Sequence, residues 1–363
     1  MARAQFISTG AGAYRHGHSA TIFIRVWQQM RVFVIGPQFC DSFARNISTT
    51  LQQMGHEVSI HPGSRHRHDV AGARNALWAY AHKIAPSIDA GFLRRLYQDV
   101  ENCRPALVLV THDLFTSGQV ERIKRSAQCP VFCWYVDPIA NVKHDALFAG
   151  AYDQVFAKEP RLVETLARKL KVNAVYLAEA CNPVWHKPVD PTPEQLVQYG
   201  CDVAGQGTLH PYRARFFEAF EGSGLQVKIW GSVAAMSVKS SSRGYFQFRY
   251  IGEQEKAVAF RSAKVLVNNM NFTEFDGVNN TLFEAAGCGA FVLCDAKAVL
   301  PSLFVVGEEV VTFESRDELL DKLRYYLSAA GEAERLVIRE RAWRRAHHDH
   351  TYQKRMQTIL SAL

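Results

Sequence analysis

No stretch of about 18 apolar residues occurs in the chain, so none of its segments is expected to cross a bilayer as a helix. No CxxC pair occurs either. The eight cysteines (Cys40, Cys103, Cys129, Cys133, Cys181, Cys201, Cys288 and Cys294) are scattered, most of them inside apolar, strand-like runs. That usage points to reduced thiols in a cytosolic protein rather than to a zinc site or a disulfide framework. P-loop, GxSxG and HExxH patterns are missing, and with no Asp-x-Asp pair metal dependence is not expected. His61, His66 and His68, and again His347, His348 and His350, cluster without the helical i, i+4 ligand geometry and carboxylate partner of a metal site, and read as solvated loop residues.

Acidic residues are absent from the first 29 positions, which carry Arg3, Arg15 and Arg25. The apolar piece 20–24 is too short for a signal-peptide core, and the glycines of 10–17 spoil an amphipathic helix. Residues 1–29 therefore read as a flexible extension or a misassigned start, with the fold beginning near residue 30. Of the net charge of +7, this segment and the tail 332–363 supply +3 each, which leaves the remainder near neutral. A nucleic-acid-binding stripe is not indicated. A weak membrane-surface role for Arg339, Arg341, Arg344 and Arg345 in the tail is the residual alternative.

What is present is globular composition, 48% hydrophobic and 21% charged, over 363 residues, enough for two domains. Short β-branched runs alternate with amphipathic helical stretches. Strands are expected at 31–36, 57–60, 106–111, 131–136, 152–157 and 172–177. Helices are expected from Asp41 or Ser42 to Met54, over 70–102 with a break near Pro86, over 115–127 and over 161–170. Continuous apolar strands separated by helices imply a parallel sheet covered on both faces. Residues 181–199, with Pro183, Pro188, Pro191 and Pro193, read as a linker. The pattern then restarts with strands at 202–205, 225–231, 264–268, 290–295 and 309–313 and with helices at 211–221, 253–261, 279–288 and 316–329. Two further helices, 332–346 and 351–362, close the chain. The expected architecture is α/β: two Rossmann-like, doubly wound domains (30–180 and 200–331) facing a cleft, with a helical tail (332–363).

Ligands of such sheets bind at the carboxyl ends of the strands. The segment Asp276–Gly289 holds the strongest candidates. Asn279 is a natural N-cap, and the helix start at Asn280 and Thr281 offers free N–H groups to a diphosphate. Glu284 could accept two hydrogen bonds from a ribose diol, and Gly289 suits a left-handed helix stop. The alternative is a plain helix start with a surface Glu. Arg213, Arg261 and Lys264 are candidate phosphate cations, or solvated charges. Gly205-Gln206-Gly207 could bring backbone N–H groups to a sugar or phosphate, or could form a simple turn. In the first half, Asp113 and Asp137 follow strands, where a general base for a substrate hydroxyl would sit if the reaction inverts configuration; Asp137 before Pro138 could also be a turn former. The loop Gly36-Pro-Gln-Phe39 lacks GxGxxG, so a dinucleotide fingerprint is absent.

The run GVNNTLFEAAGCGAFVLCD (277–295) resembles the donor-site segment of the CgeB-like, spore maturation protein type glycosyltransferases of GT-B fold. Val203-Ala-Gly205 with Arg213, the segment Tyr176–Pro188, Phe304–Phe313 with Glu318, Leu319 and Tyr325–Leu327, and His350-Thr-Tyr-Gln-Lys-Arg355 are similar to further motifs of that family. The resemblance spans about 100–363. It implies a nucleoside diphosphate sugar donor, UDP- or GDP-linked, on the second domain and a glycan, protein or small-molecule acceptor over the first. It also implies that the C-terminal helices (332–363) cross back to the first domain, with Trp343 and Tyr352 as docking residues. Glu284 takes the donor-ribose position. Asp276, eight residues earlier, takes the place of the first acid of a retaining pair, where the usual residue is Glu. Thr281 stands where the family often has Arg. The expected activity is hexosyl transfer without a bound cofactor. A nucleotide-sugar epimerase on the same scaffold, or a non-catalytic sugar-nucleotide or glycan binder, is the alternative.

Overall fold

The computed structural model describes residues 28–63, 89–232 and 240–363. The expected helix over 70–88, residues His66 and His68, and nearly all of the N-terminal extension lie outside them.

Six strands form the first sheet: β1 (Arg31–Ile35), β2 (Glu57–His61), β3 (Leu107–Thr111), β4 (Val131–Tyr135), β5 (Gln154–Ala157) and β6 (Ala174–Tyr176). Their order is β2-β1-β3-β4-β5-β6, and every pairing is parallel. β3 and β4 are buried along their whole length, which is why they read as unbroken apolar runs. Helices α1 (Phe43–Gln53), α2 (Ala90–Cys103), α3 (Ser117–Ala127) and the short α4 (Pro160–Glu164), followed by a π turn over Thr165–Lys169, connect the strands.

The segment read as a linker is not featureless. Thr192 and Gln195 form a capping box, Pro193 occupies the first turn, and a short helix α5 (Pro193–Tyr199) results. Asn182, Trp185 and His186 of the same segment are buried between the two halves.

The second sheet contains β7 (Cys201–Gln206), β8 (Val227–Trp230), β9 (Ala263–Asn268), β10 (Val292–Asp295) and β11 (Val311–Phe313), ordered β11-β10-β9-β7-β8 and again all parallel. Its helices are α6 (Pro211–Phe217), α7 (Glu253–Ser262), α8 (Asn280–Gly287) and α9 (Arg316–Leu327). Strand order reverses between β1 and β3 in the first sheet and between β7 and β9 in the second. Those two points are where such sheets open a crevice.

The tail forms α10 (Ala329–Asp349) and α11 (Tyr352–Leu360). The second of these returns to the first domain. Tyr352, Met356, Ile359 and Leu360 join Val32, Val34, Phe43 and Trp134 in one core. Tyr352 is fully buried, its ring 5.8 Å from Phe43 and 6.1 Å from Trp134. It docks as expected. Trp343 does not: it lies half-buried on α10, packed edge-on against His347.

The tail histidines also differ from their reading. His350 is buried between the Leu303 carbonyl (2.7 Å) and the Arg355 guanidinium (2.9 Å), and burial lowers its pKa to about 4. His347 Nε2 lies between the carbonyls of His186 (2.9 Å) and Gly287 (3.0 Å) and so ties α10 to the domain junction. Of the three, only His348 is solvated. None of the described helices is long and apolar enough to cross a membrane.

Candidate functional site

At the reversal point of the second sheet, Arg213 on α6 spans the ends of β7 and β9. Its guanidinium donates to the Thr208 carbonyl (2.8 Å) and the Asn269 carbonyl (2.9 Å). The two carbonyls fix the group without neutralising its charge, and a guanidinium stays protonated even where burial lowers its pKa. Gly207 makes room for it: at φ 141° it takes a left-handed backbone, and a Cβ there would fall on the guanidinium. This differs from the expected role of the Gly205–Gly207 turn. The Gly207 N–H is spent on the Trp230 carbonyl (2.9 Å), and Gly205 is small because Phe217 and Ile229 pack against it. Gln206 keeps a buried side-chain oxygen with no partner, as does Asn269.

Asn279 takes the N-cap position of α8, but its side chain does not cap. It pairs reciprocally with Asn268 at 2.8 and 3.1 Å. The first-turn N–H groups of α8 are thus left without a side-chain cap beside the β9 terminus that Arg213 holds. Uncapped N–H groups with a positive dipole end, and a guanidinium that has no salt bridge although Glu274 and Asp295 lie near enough to act on it, are the anion-attracting features of this strand edge, the anion corner.

Beside it lies a cavity of about 480 Å³, lined by His210, Tyr212, Arg213, Asn271 and Phe272 of the second domain and by Ala140 and Asn141 of the first. Tyr212 and Phe272 are exposed, with ring centroids 5.4 Å apart. Asp137 stands at the end of β4, just before Ala140 and Asn141, half-buried and with no hydrogen-bond partner among the described residues. His112, at the end of β3, holds φ 69°, a strained setting for a non-glycine residue.

Glu284 is only 1% exposed. Its Oε2 accepts from Lys256 Nζ (2.8 Å) and its Oε1 from the Asn280 amide (3.0 Å). Lys256, on α7, also contacts Asp41 of the first domain, and Asp41 accepts from His186 Nε2 (3.1 Å), Trp185 Nε1 (3.0 Å) and Asn46 Nδ2 (3.0 Å). Burial alone would raise the Asp41 pKa; Lys256 and His186 outweigh it and hold the carboxyl well below the usual range. Helix α1 is capped by Ser42, whose side chain accepts from the Arg45 N–H, so Asp41 is free for this cluster. A second buried cluster sits at the ends of β5 and β6. Lys158 binds Glu179 (3.1 Å) and, across the cleft, Glu274 (2.6 Å). Burial and the neighbouring carboxylates push Glu179 up to about 8 despite Lys158.

The other expected site residues are dispersed. Arg261 and Lys264 lie at the amino end of β9, opposite the crevice. Arg261 donates to the carbonyls of Val189 and Gly289, and Lys264 pairs with Asp202 (2.8 Å), so neither reaches the anion corner. Asp113 is engaged within the first domain: its Oδ2 accepts from the His144 N–H (2.8 Å) and lies 3.2 Å from His144 Nδ1. Burial would raise its pKa, but these donors lower it, so it is a poor general base. Asp276 faces the first domain, paired with Arg161 (3.0 Å), while the Asp276 and Gly277 N–H groups donate to Glu159 (2.8 and 3.1 Å). Thr281 is buried in the first turn of α8, and Gly289 takes φ 72°, as a left-handed stop requires.

Asp41, expected only as a possible helix cap, and Lys256, His186 and the Lys158 cluster are absent from the expected site residues. The one available signal was Lys256 itself, on the same helical face as Ala259 and Phe260, where a charge must find a partner.

Asp295, closing β10, accepts from the Met270 N–H (2.6 Å) and the Asn269 amide (3.3 Å), and burial pushes its pKa up to about 6. The folded state thus holds this proton more tightly than the unfolded one. The contribution is full below about pH 4 and is lost as pH rises through the folded value. Asp295→Asn is expected to flatten the stability profile over that interval. Urea midpoints measured at several pH values check it, and an unaltered wild-type slope in the variant rules the assignment out.

Residues 213–361 match the family model described as "Glycosyl transferase-like". No curated protein sequence matches the chain. Among solved structures, the sucrose-phosphate synthase of Thermosynechococcus elongatus superposes with a TM-score of 0.64 at 12% identity, covering 92% of this chain and 99% of that one. The E. coli trehalose-6-phosphate structure bound with UDP-2-fluoro glucose gives 0.65 at 12% identity, with 92% and 99% covered. HepE of Anabaena in complex with UDP and glucose gives 0.62 at 12% identity, with 92% and 100% covered. The fold is therefore GT-B, two facing Rossmann-like domains, and its C-terminal part carries a glycosyl transferase-like region.

Proposed function

We propose that the protein is a glycosyltransferase that moves a hexosyl group from a nucleoside diphosphate sugar to a hydroxyl of a glycan, a protein or a small molecule. The observation that carries this reading is the strand edge at the β7/β9 reversal, where Arg213 lines a cavity of about 480 Å³, within the usual range for ligand pockets, on the edge that also carries the uncapped start of α8. In this reading the diphosphate binds there and Arg213 takes up charge as the nucleotide departs. The uridine nucleotides in the neighbouring structures support a UDP-linked donor. The motif similarity of 277–295 supports membership of the CgeB-like branch.

Glu284 binds the ribose diol in this scheme. Both its oxygens already have partners, but a carboxylate has about four acceptor positions. Asn280, half-buried in the first turn, is the group that must swing aside. Asp137, at the end of β4, would take the acceptor proton were the reaction to invert configuration. Retention of configuration rests on the spacing of Asp276 and Glu284. The enclosure of Glu284 favours a second reading, a donor-binding protein without turnover; nucleotide release in the presence of acceptors separates the two.

A thermal-shift panel of UDP- and GDP-sugars tests the proposal. A cognate donor at 100 times its Kd stabilises the protein by about 2.7 kcal/mol. Glu284→Gln, which keeps the shape but loses the charge, is expected to weaken donor binding about 10- to 100-fold, the loss of charged hydrogen bonds. No shift with any nucleotide would defeat the assignment.

A further inference from the structure

Arg339, Arg341, Arg344 and Arg345, four of the five arginines of α10, do not share a fate. Arg341 pairs with Glu308 (2.8 Å), Arg344 with Glu340 (3.0 Å), and Arg345 with Glu309 (3.1 Å) and Asp349 (2.8 Å). Arg339 has no carboxylate or hydrogen-bond partner among the described residues. The helix therefore presents no free basic stripe to a membrane; its unbalanced charge is gathered at one place.

That place is a pocket of about 600 Å³ on the face of the second domain away from the crevice. Arg339 enters it from α10, Arg261 from the end of α7, and Lys187 from the interdomain segment. Arg261 is met only by the carbonyls of Val189 and Gly289, and Lys187 has no carboxylate partner among the described residues. The one acid on the wall, Glu340, is engaged by Arg344. Pro188, Leu336 and Trp343 supply an apolar wall. The Trp343 indole N–H is enclosed with no acceptor. Burial and repulsion from Arg261 and Arg335 lower the Arg339 pKa to about 10, as expected where a guanidinium lacks its anion.

We propose that this pocket binds a small phosphomonoester, with the phosphate held between Arg339, Arg261 and Lys187 and the carbon body against Trp343 and Leu336. Guanidinium groups suit phosphate because their planar forks donate two parallel hydrogen bonds to it. A mixed wall of three cations and an aromatic ring fits a phosphorylated ring compound better than a bare anion. The site would also touch the donor machinery. Gly289 on its wall follows α8, which carries Glu284, and His347 on the same wall grips the carbonyls of His186 and Gly287.

Isothermal titration of the full chain with ribose 5-phosphate, glycerol 3-phosphate and inorganic phosphate, with ribose as control, tests this directly. Ribose 5-phosphate is expected to bind more tightly than inorganic phosphate, and ribose not at all. Arg339→Gln should weaken that binding at least about tenfold, as loss of a charge-assisted pair does. Arg341→Gln, outside the pocket and paired with Glu308, should leave it unchanged. Arg339→Gln should also keep or raise Tm because it relieves repulsion, whereas a purely structural arginine would lower it. Binding that survives Arg339→Gln but is lost in Arg213→Gln would place the phosphate in the interdomain crevice and overturn the proposal. No heat with any phosphate would do the same. None of these outcomes depends on whether the crevice accepts a nucleotide sugar.

Discussion

Lys256→Met is expected to destabilise the protein by roughly 3–5 kcal/mol, the cost of stripping the partner from buried charges. Lys256 is fully buried and joins Asp41 of the first domain to Glu284 of the second. Its burial would lower its pKa, but the two carboxylates raise it well above the ordinary value, so it stays an ammonium. Without it, two carboxylates face each other across the junction, and only His186 and neutral donors remain to meet them. One of them must then take up a proton. Since Asp41 is held below its unfolded value, its stabilising contribution is present above the unfolded pKa and lost as pH falls through the folded one. In Lys256→Met that dependence should reverse, with stability improving on mild acidification. Urea unfolding at several pH values reads both effects. Adding Asp41→Asn to Lys256→Met should recover part of the loss, which a double-mutant cycle measures. A cost under about 1 kcal/mol, typical of a solvated ion pair, would show that water reaches the cluster and that the domains are not joined there.

Arg213→Gln is expected to cut the transfer rate by about 10²–10³, the usual cost of removing one group aimed at developing charge. The effect should fall mainly on kcat, because leaving-group charge is larger in the transition state than in the bound donor. Arg213→Lys should restore little. An ammonium cannot reach the Thr208 and Asn269 carbonyls together while presenting a flat face to a phosphate. Folding should be monitored by Tm, since the lost bonds to two carbonyls also carry stability. Steady-state kinetics with the donor found in the nucleotide panel supply the test. A variant that raises KM while kcat holds would demote Arg213 to ground-state binding, and an unaltered kcat/KM would remove it from the site.

The location of the crevice was legible because it depends on periodicity and punctuation. Runs such as 107–111 and 131–135 can only be strands buried on both faces, and their alternation with helices forces parallel order. Parallel order sends the residues after each strand to one edge, so Arg213, Asn279 and Asp137 were found by position. The same logic excludes Lys264, which begins a strand rather than ending one. Gly207 is special in both views, but its small size serves Arg213 rather than a ligand. A positive φ is readable from a glycine; what the vacated space admits is not.

Sequence alone determined the two parallel sheets and the edge at which a ligand can sit, because these follow from local repeats of hydrophobicity and from chain connectivity; the return of the last helix came only through the family resemblance. Tertiary structure alone decided which polar groups meet. Asp41, His186, Lys256 and Glu284 lie up to two hundred and more positions apart, and nothing in their neighbourhoods names a partner. Burial makes each charge seek whichever opposite charge the packed domains bring within reach. Pairing of that kind is a property of distances in space, and local sequence carries none of them.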